Sequence, residues 1–153
     1  MKVREIMTKD VISIKTDDFV QDALGFLFKM QISGLPVIDS QGKLVGMFTE
    51  KDILAYILPS YLDKVGRFIY KENPKSTKRK CVELSKIKVA QLMRREVATT
   101  TEDATLCEVA RLMLTQKARR IPVLDKVGKV AGIVARGDIV KALAEEAGIK
   151  INS

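Results

Sequence analysis

Apolar residues fall along this chain in two rhythms. From residue 20 they occupy Val20, Ala23, Leu24, Leu27 and Phe28, the i, i+3, i+4, i+7, i+8 spacing of one helix face. On either side the pattern shortens to strands. Val11-Ile12-Ser13-Ile14 is β-branched and bounded by charge; Leu35–Asp39 and Leu44–Phe48 flank the turn Ser40-Gln41-Gly42-Lys43. Gly42 suits a turn position with positive φ, and Gly46 inside a strand signals close backbone approach or a bulge. Thr16-Asp17-Asp18 sets acids where a helix start favours them. A second helix is expected from Glu50 to about Leu58, stopped by Pro59. With the amphipathic lead-in Val3–Met7, the unit reads lead-in, strand, helix, strand, strand, helix.

The whole pattern then returns at a constant offset of 86 residues, Pro36 against Pro122. The register holds without a gap from Val3/Val89 to Ile53/Ile139. Identical pairs include Met7/Met93, Gly42/Gly128, Gly46/Gly132 and Asp52/Asp138. The helix face becomes Leu106, Val109, Ala110, Met113 and Leu114, a repacking at similar volume. The chain is therefore an α/β (α+β) tandem repeat: repeat one over 1–58, a connecting segment over 59–88, and repeat two over 89–148. Gly148 fits a helix C-cap, and a tail over 149–153 is expected to fray. So few strands with helices on one face leave the other face bare, so the copies are expected to pack together.

Charge changes the picture in one place. Of 153 residues, 27 are basic and 19 acidic, a net charge of +8. Residues 63–95 hold 11 of the basic side chains and 3 of the acidic ones, which accounts for the whole excess. This segment includes the basic run Lys71–Lys80 next to Tyr61, Phe68 and Tyr70. Its conformation is left open by the sequence. It is either a solvated loop or a surface for nucleic acid or an acidic protein.

Several chemistries lack their parts. There is no histidine, and Cys81 and Cys107 form no CxxC pair. No metal-ligand cluster or nucleophile–base pair can be assembled, which argues against an enzyme. Cys107 replaces Gln21 of the first repeat, so a half-exposed helix position is its plain reading against a reactive thiol. No apolar run reaches the roughly 20 residues of a membrane helix, and the charged start is unlike a secretion signal, so a cytoplasmic location is expected. The missing histidine, few asparagines and many lysines are compatible with a thermophile.

The ordered set of lead-in, helix, Leu/Ile-Pro-Val strand, Asp-x-x-Gly turn and Gly-h-h-Thr-x-x-Asp (h for hydrophobic) entering a helix resembles a CBS domain. Two in tandem resemble a CBS pair, or Bateman module. The resemblance covers nearly all of the chain outside 59–88. It implies β-α-β-β-α units packed as a pseudo-two-fold pair with clefts between them, and frequent dimerisation. It also implies regulatory, non-enzymatic binding of an adenosine-containing ligand: AMP, ADP or ATP, with S-adenosylmethionine less expected. The implied protein is a stand-alone homodimeric sensor whose ligand-induced change is read by a regulated partner protein. The alternative is a dimerising scaffold whose segment 63–95 binds nucleic acid or an acidic protein.

Candidate ligand residues follow from the repeat. One carboxylate can accept both ribose hydroxyls, which points to Asp52 and Asp138. Thr49 and the free N–H groups of a helix start can hold phosphate. Thr49-x-x-Asp52 is equally a capping box. Asp138 persists although its cap partner is Ala135, which favours the ribose role; Ala135 in the place of Thr49 is a departure from the family pattern. Arg119 and Arg120 replace Ser33-Gly34 and Arg136 replaces Glu50, giving three guanidiniums suited to phosphate oxygens, or else a solvated basic edge. The two clefts are therefore expected to be unequal. Adenine is assigned to backbone and apolar groups of Val11-Ile12-Ser13 and Val97-Ala98-Thr99, with Val37 and Val123, residues that are also ordinary core.

Overall fold

The structure is a computed structural model that describes the backbone of residues 1–58, 60–62, 68–70 and 74–151, and the side chains of 1–58 and 78–151. After a 3-10 turn at Val3–Glu5 come β1 (Ile14–Lys15), α1 (Val20–Met30), β2 (Gly34–Ile38), β3 (Leu44–Thr49) and α2 (Glu50–Ile57). The connecting segment holds β4 (Ser60–Leu62), β5 (Phe68–Tyr70) and α3 (Pro74–Glu83). The second copy runs α4 (Val89–Leu92), β6 (Thr100–Thr101), α5 (Leu106–Thr115), β7 (Arg120–Leu124), β8 (Val130–Ala135) and α6 (Arg136–Glu146). The expected stop at Pro59, part of the basic run (residues 71–73) and the tail end at 152–153 lie outside the described residues.

Two three-stranded sheets repeat one topology, β1-β2-β3 and β6-β7-β8. β1 runs parallel to β2 with Ile14 beside Val37; β6 runs parallel to β7 with Thr100 beside Val123. β7 and β8 are antiparallel, Arg120 opposite Ala135, with an irregularity between Val123 and Leu124. The first strand is shorter than the β-branched run predicted. Val11 turns its N–H onto the Lys9 carbonyl at 2.9 Å, and pairing begins only at Ile14. Val11, Ile12 and Ser13, like Val97, Ala98 and Thr99, lie in chain without regular structure before the sheet.

The helix faces are narrower than their spacing suggested. Val20, Ala23 and Leu27 are buried in α1, as are Leu106, Val109 and Met113 in α5. Phe28 is 72% exposed and Leu114 75%. At 3.6 residues per turn the i+8 position has rotated about 80° from the first, off the edge of the buried stripe. Gly42 and Gly128 take φ of 80° and 85° in the two hairpin turns, and Gly148 takes 81° after α6.

The chain forms two compact units that cross the sequence repeats. One contains residues 1–12, 40–44 and 96–153; the other contains 13–39 and 45–95. In the first, the N-terminal lead-in serves the body of repeat two. Val3 is fully buried among Leu106, Val109, Ile121 and Val134, and its N–H donates to the Ala104 carbonyl at 2.9 Å. Thr8 and Ile133 exchange backbone bonds of 2.9 and 3.0 Å. In the second unit the same bonds recur at the repeat offset. Val89, also fully buried, donates to the Asp18 carbonyl at 2.8 Å, and Arg94 and Met47 exchange bonds of 2.8 and 2.9 Å. Each lead-in therefore completes the other repeat's body. That explains the strand glycines: a Cβ on Gly46 would lie 2.6 Å from the Arg94 carbonyl oxygen, and one on Gly132 would lie 2.7 Å from that of Thr8.

Candidate functional site

In both repeats the third strand runs straight into a helix, and the aspartates sit at the third helical position. Thr49 is extended (φ −131°, ψ 166°) before α2, and Asp52 Oδ2 accepts its N–H at 2.8 Å and its hydroxyl at 3.1 Å. Asp138 Oδ2 accepts the Ala135 N–H at 2.9 Å before α6. The Thr49 hydroxyl gives its proton to Asp52 rather than capping an N–H. The persistence of Asp138 beside Ala135 therefore has a structural cause, since both aspartates make the return bond that starts their helix. Each uses one oxygen for it. Among the described residues Oδ1 of either carboxylate has no hydrogen bond, and both side chains are half-buried.

The three arginines are brought together at the start of α6. The Arg136 N–H donates to the Arg119 carbonyl at 3.0 Å, and Arg120 stands opposite Ala135 across β7 and β8. Arg136 Nε donates to the Ala118 carbonyl at 3.1 Å, which leaves the outer edge of its guanidinium open. Among the described residues none of the three has an ion pair. Arg119 and Arg136 are exposed and Arg120 half-buried.

The other repeat makes the same backbone link, Glu50 N–H to the Ser33 carbonyl at 2.9 Å, without the cations. There a Cβ on Gly34 would stand 2.9 Å from Thr49 Cγ2. Volume is thus exchanged across the strand pair: glycine goes with threonine, arginine with alanine. The departure at Ala135 accompanies Arg120, a paired change visible in the sequence but read there as two separate ones.

Of the adenine candidates, Val37 and Val123 are fully buried and belong to the core; their side chains are unavailable to a ligand. Val11, Ile12, Ser13, Val97 and Ala98 are half-buried and Thr99 exposed. The structure also has a cavity of about 600 Å³ in the first unit that sequence reasoning missed, lined by Arg4, Thr101, Glu102, Asp103, Leu124 and Lys126 among others. It sits at the Leu124 end of β7, away from Arg120, and Arg4 and Asp103 close on each other there as an ion pair. Its walls are lead-in, strand-end and turn residues that become neighbours only on folding, so no local motif announced it.

On α2, Tyr56 lies one turn beyond Asp52. Its hydroxyl donates to Glu83 Oε2 of α3 at 2.6 Å, and Lys80 Nζ stands 4.5 Å over its ring. The bond to Glu83 raises the Tyr56 pKa above its ordinary value. Cys81 and Cys107 are free and exposed. Among the described residues no group of three or more acidic or cysteine side chains could hold a metal ion, and no helix is long and apolar enough to cross a membrane.

Comparison with known proteins decides the family. The CBS domain model matches residues 3–59 and again residues 89–145. The chain belongs to the CBS domain family. As a tandem CBS pair it is 35% identical to an uncharacterised protein of Methanocaldococcus jannaschii, over 94% of this chain and 91% of that one. It is 30% identical to an inosine-5'-monophosphate dehydrogenase of the same organism, over 92% of this chain but only 23% of the enzyme. The CBS pair also resembles the solved structure of CBSX2 in complex with AMP, with a TM-score of 0.72, 29% identity, and 95% and 98% of the two chains covered. The CBS domain pair of MJ0100, solved with 5'-methylthioadenosine and S-adenosyl-L-methionine, gives a TM-score of 0.69 at 25% identity, with 95% and 98% covered.

Proposed function

We propose that this CBS pair is a non-enzymatic, cytoplasmic regulatory module that binds an adenosine-containing ligand. The observation that carries the reading is the pair of half-buried aspartates with one oxygen uncommitted, at the starts of α2 and α6. Asp52 and Asp138 would accept ribose hydroxyls through Oδ1. Arg119, Arg120 and Arg136 would take phosphate, so the α6 site favours AMP, ADP or ATP. A sulfonium ligand such as S-adenosylmethionine brings positive charge toward those arginines and is disfavoured there. The α2 site, with Gly34, Thr49 and Glu50 in the matching places, has no such cations and is the weaker one for phosphate. The likeness to a CBS pair bound to AMP supports the ligand class. Regulation follows only as far as the ligand's affinity differs between two states of the module. The dehydrogenase relative lends no activity, because so little of it is matched.

Calorimetric titration of adenosine, AMP, ATP and S-adenosylmethionine into the full chain tests this. AMP binds saturably. The double variant Arg119→Ala/Arg120→Ala weakens AMP by at least about tenfold, since a hydrogen bond to a charged group is worth about 1.5–3 kcal/mol. The same variant leaves adenosine unchanged. Absence of heat from every ligand with the parent protein overturns the reading.

The module is also proposed to act as a homodimer with a regulated protein as its reader. Large apolar side chains stay exposed at matching repeat positions: Phe28 (72%) with Leu114 (75%), and Leu54 (55%) with Val140 (66%). Apolar exposure repeated on both copies suits a self-complementary interface. Phe28→Glu/Leu114→Glu is expected to shift the sedimentation coefficient from dimer to monomer. A monomeric parent protein would refute the dimer.

A further inference from the structure

The nucleotide reading does not absorb the surplus positive charge. Between Lys78 and Arg95 the chain has seven basic side chains and a single acid, Glu83. That acid is engaged by the Tyr56 hydroxyl at 2.6 Å. Lys78, Arg79, Lys86, Lys88, Arg94 and Arg95 are all exposed, and none forms an ion pair with a described residue. Nor are they on a loose strand. The backbone beneath them is bolted to its unit by Val89 to Asp18 (2.8 Å), Val20 to Ile87 (2.8 Å) and the Arg94–Met47 pair. α3 is fixed to α2 through Tyr56, Glu83 and Lys80. Like charges concentrated in one short, anchored stretch of chain repel one another, and a polyanion that displaces their counterions relieves the repulsion.

We propose that the exposed basic side chains of α3 and of the stretches flanking α4 bind the phosphate backbone of nucleic acid. An acidic protein fits them less well. Protein interfaces concentrate their energy in apolar and aromatic anchors, and the one large apolar side chain exposed in this stretch is Val82. Base readout is not expected either. Lys80 lies over one face of the nearby Tyr56 ring and denies that face to a stacking base. The contact is therefore electrostatic, indifferent to sequence and steeply dependent on salt. It does not rest on the adenosine reading, because it uses none of Asp52, Asp138, Arg119, Arg120 or Arg136.

Fluorescence anisotropy of a labelled duplex of about 20 base pairs, titrated with the full chain between about 50 and 200 mM salt, tests the proposal. Binding is expected at the low end, with log K falling linearly in log salt. Each phosphate contact contributes about 0.9 to that slope. Lys78→Gln/Arg79→Gln and Lys86→Gln/Lys88→Gln, made separately, each reduce the slope by roughly 2 and the affinity at low salt by at least about tenfold. Both pairs are exposed, so one fold-preserving variant suffices, checked by its unchanged melting temperature. No binding at about 50 mM salt, or slopes unchanged in a folded variant, overturns the proposal. Competition by polyglutamate as effective as by duplex at equal charge also overturns it and assigns these side chains to an acidic protein.

Discussion

Asp138→Asn melts at the temperature of the parent protein and binds the adenosine ligand at least about tenfold more weakly. An asparagine oxygen can accept the Ala135 N–H that Asp138 Oδ2 now accepts at 2.9 Å, so the start of α6 survives. The amide removes the negative charge and turns a donor toward the ribose, where an acceptor is needed. Hydrogen bonds to a charged group are worth about 1.5–3 kcal/mol against about 0.5–1.5 for neutral ones, and the difference is read as affinity. Asp52→Asn behaves likewise in α2. Calorimetric titration beside thermal unfolding checks both quantities on one sample. Parent-like affinity in both variants would leave the aspartates as helix-start residues and nothing more. The alanine variants are less informative because they also remove the helix-start bond, at a cost of about 1 kcal/mol.

Gly132→Ala is expected to destabilise the protein by about 1–3 kcal/mol, the range for forcing extra volume into packed structure. The obstacle is backbone as well as side chain: the new methyl would meet the Thr8 carbonyl oxygen at 2.7 Å and Met7 Sδ at 2.8 Å. Gly46→Ala meets the Arg94 carbonyl at 2.6 Å and Met93 Sδ at 3.0 Å and should cost a similar amount. For a chain of this size each kcal/mol lowers the melting temperature by about 2–4 °C. The same substitution at Gly25, inside α1 with nothing within 4 Å of its Cβ position, should instead stabilise by about 0.5–1 kcal/mol. Circular dichroism melting curves of the three variants give the test. Equal effects at Gly25 and Gly132 would show that helix and strand propensity, not the lead-in contact, governs.

Much of this was legible in the sequence because it is local or repeated. The 86-residue register marked both copies, Gly42 and Gly128 have the turn geometry their position implied, and α2 ends within a residue of the expected place. What was not legible depends on partners distant along the chain. Val3 looks like the opening of repeat one, yet it is buried in the body of repeat two. Spacing put Phe28 and Leu114 with the core, but helix rotation carries them into solvent. At the candidate site the arginines were found by their offset from Ser33, Gly34 and Glu50. The Gly34/Thr49 exchange for Arg120/Ala135 needed the strand pairing to be seen as one event. The persistence of Asp138 was over-read as a ligand signal, because the return bond to the Ala135 N–H needs no hydroxyl partner.

The exchanged lead-ins set an order for biosynthesis. Residues 13–39 and 45–95 are complete as a packing unit once Arg95 has left the ribosome. Residues 1–12 emerge before that unit but have no place to go until Ile133 and Val134 appear. The lead-in is thus translated well before the strand that fixes it, with Val3 and Met7 exposed in the meantime. A nascent chain stalled before β8 would present that apolar lead-in to chaperones, and emergence of β8 would withdraw it.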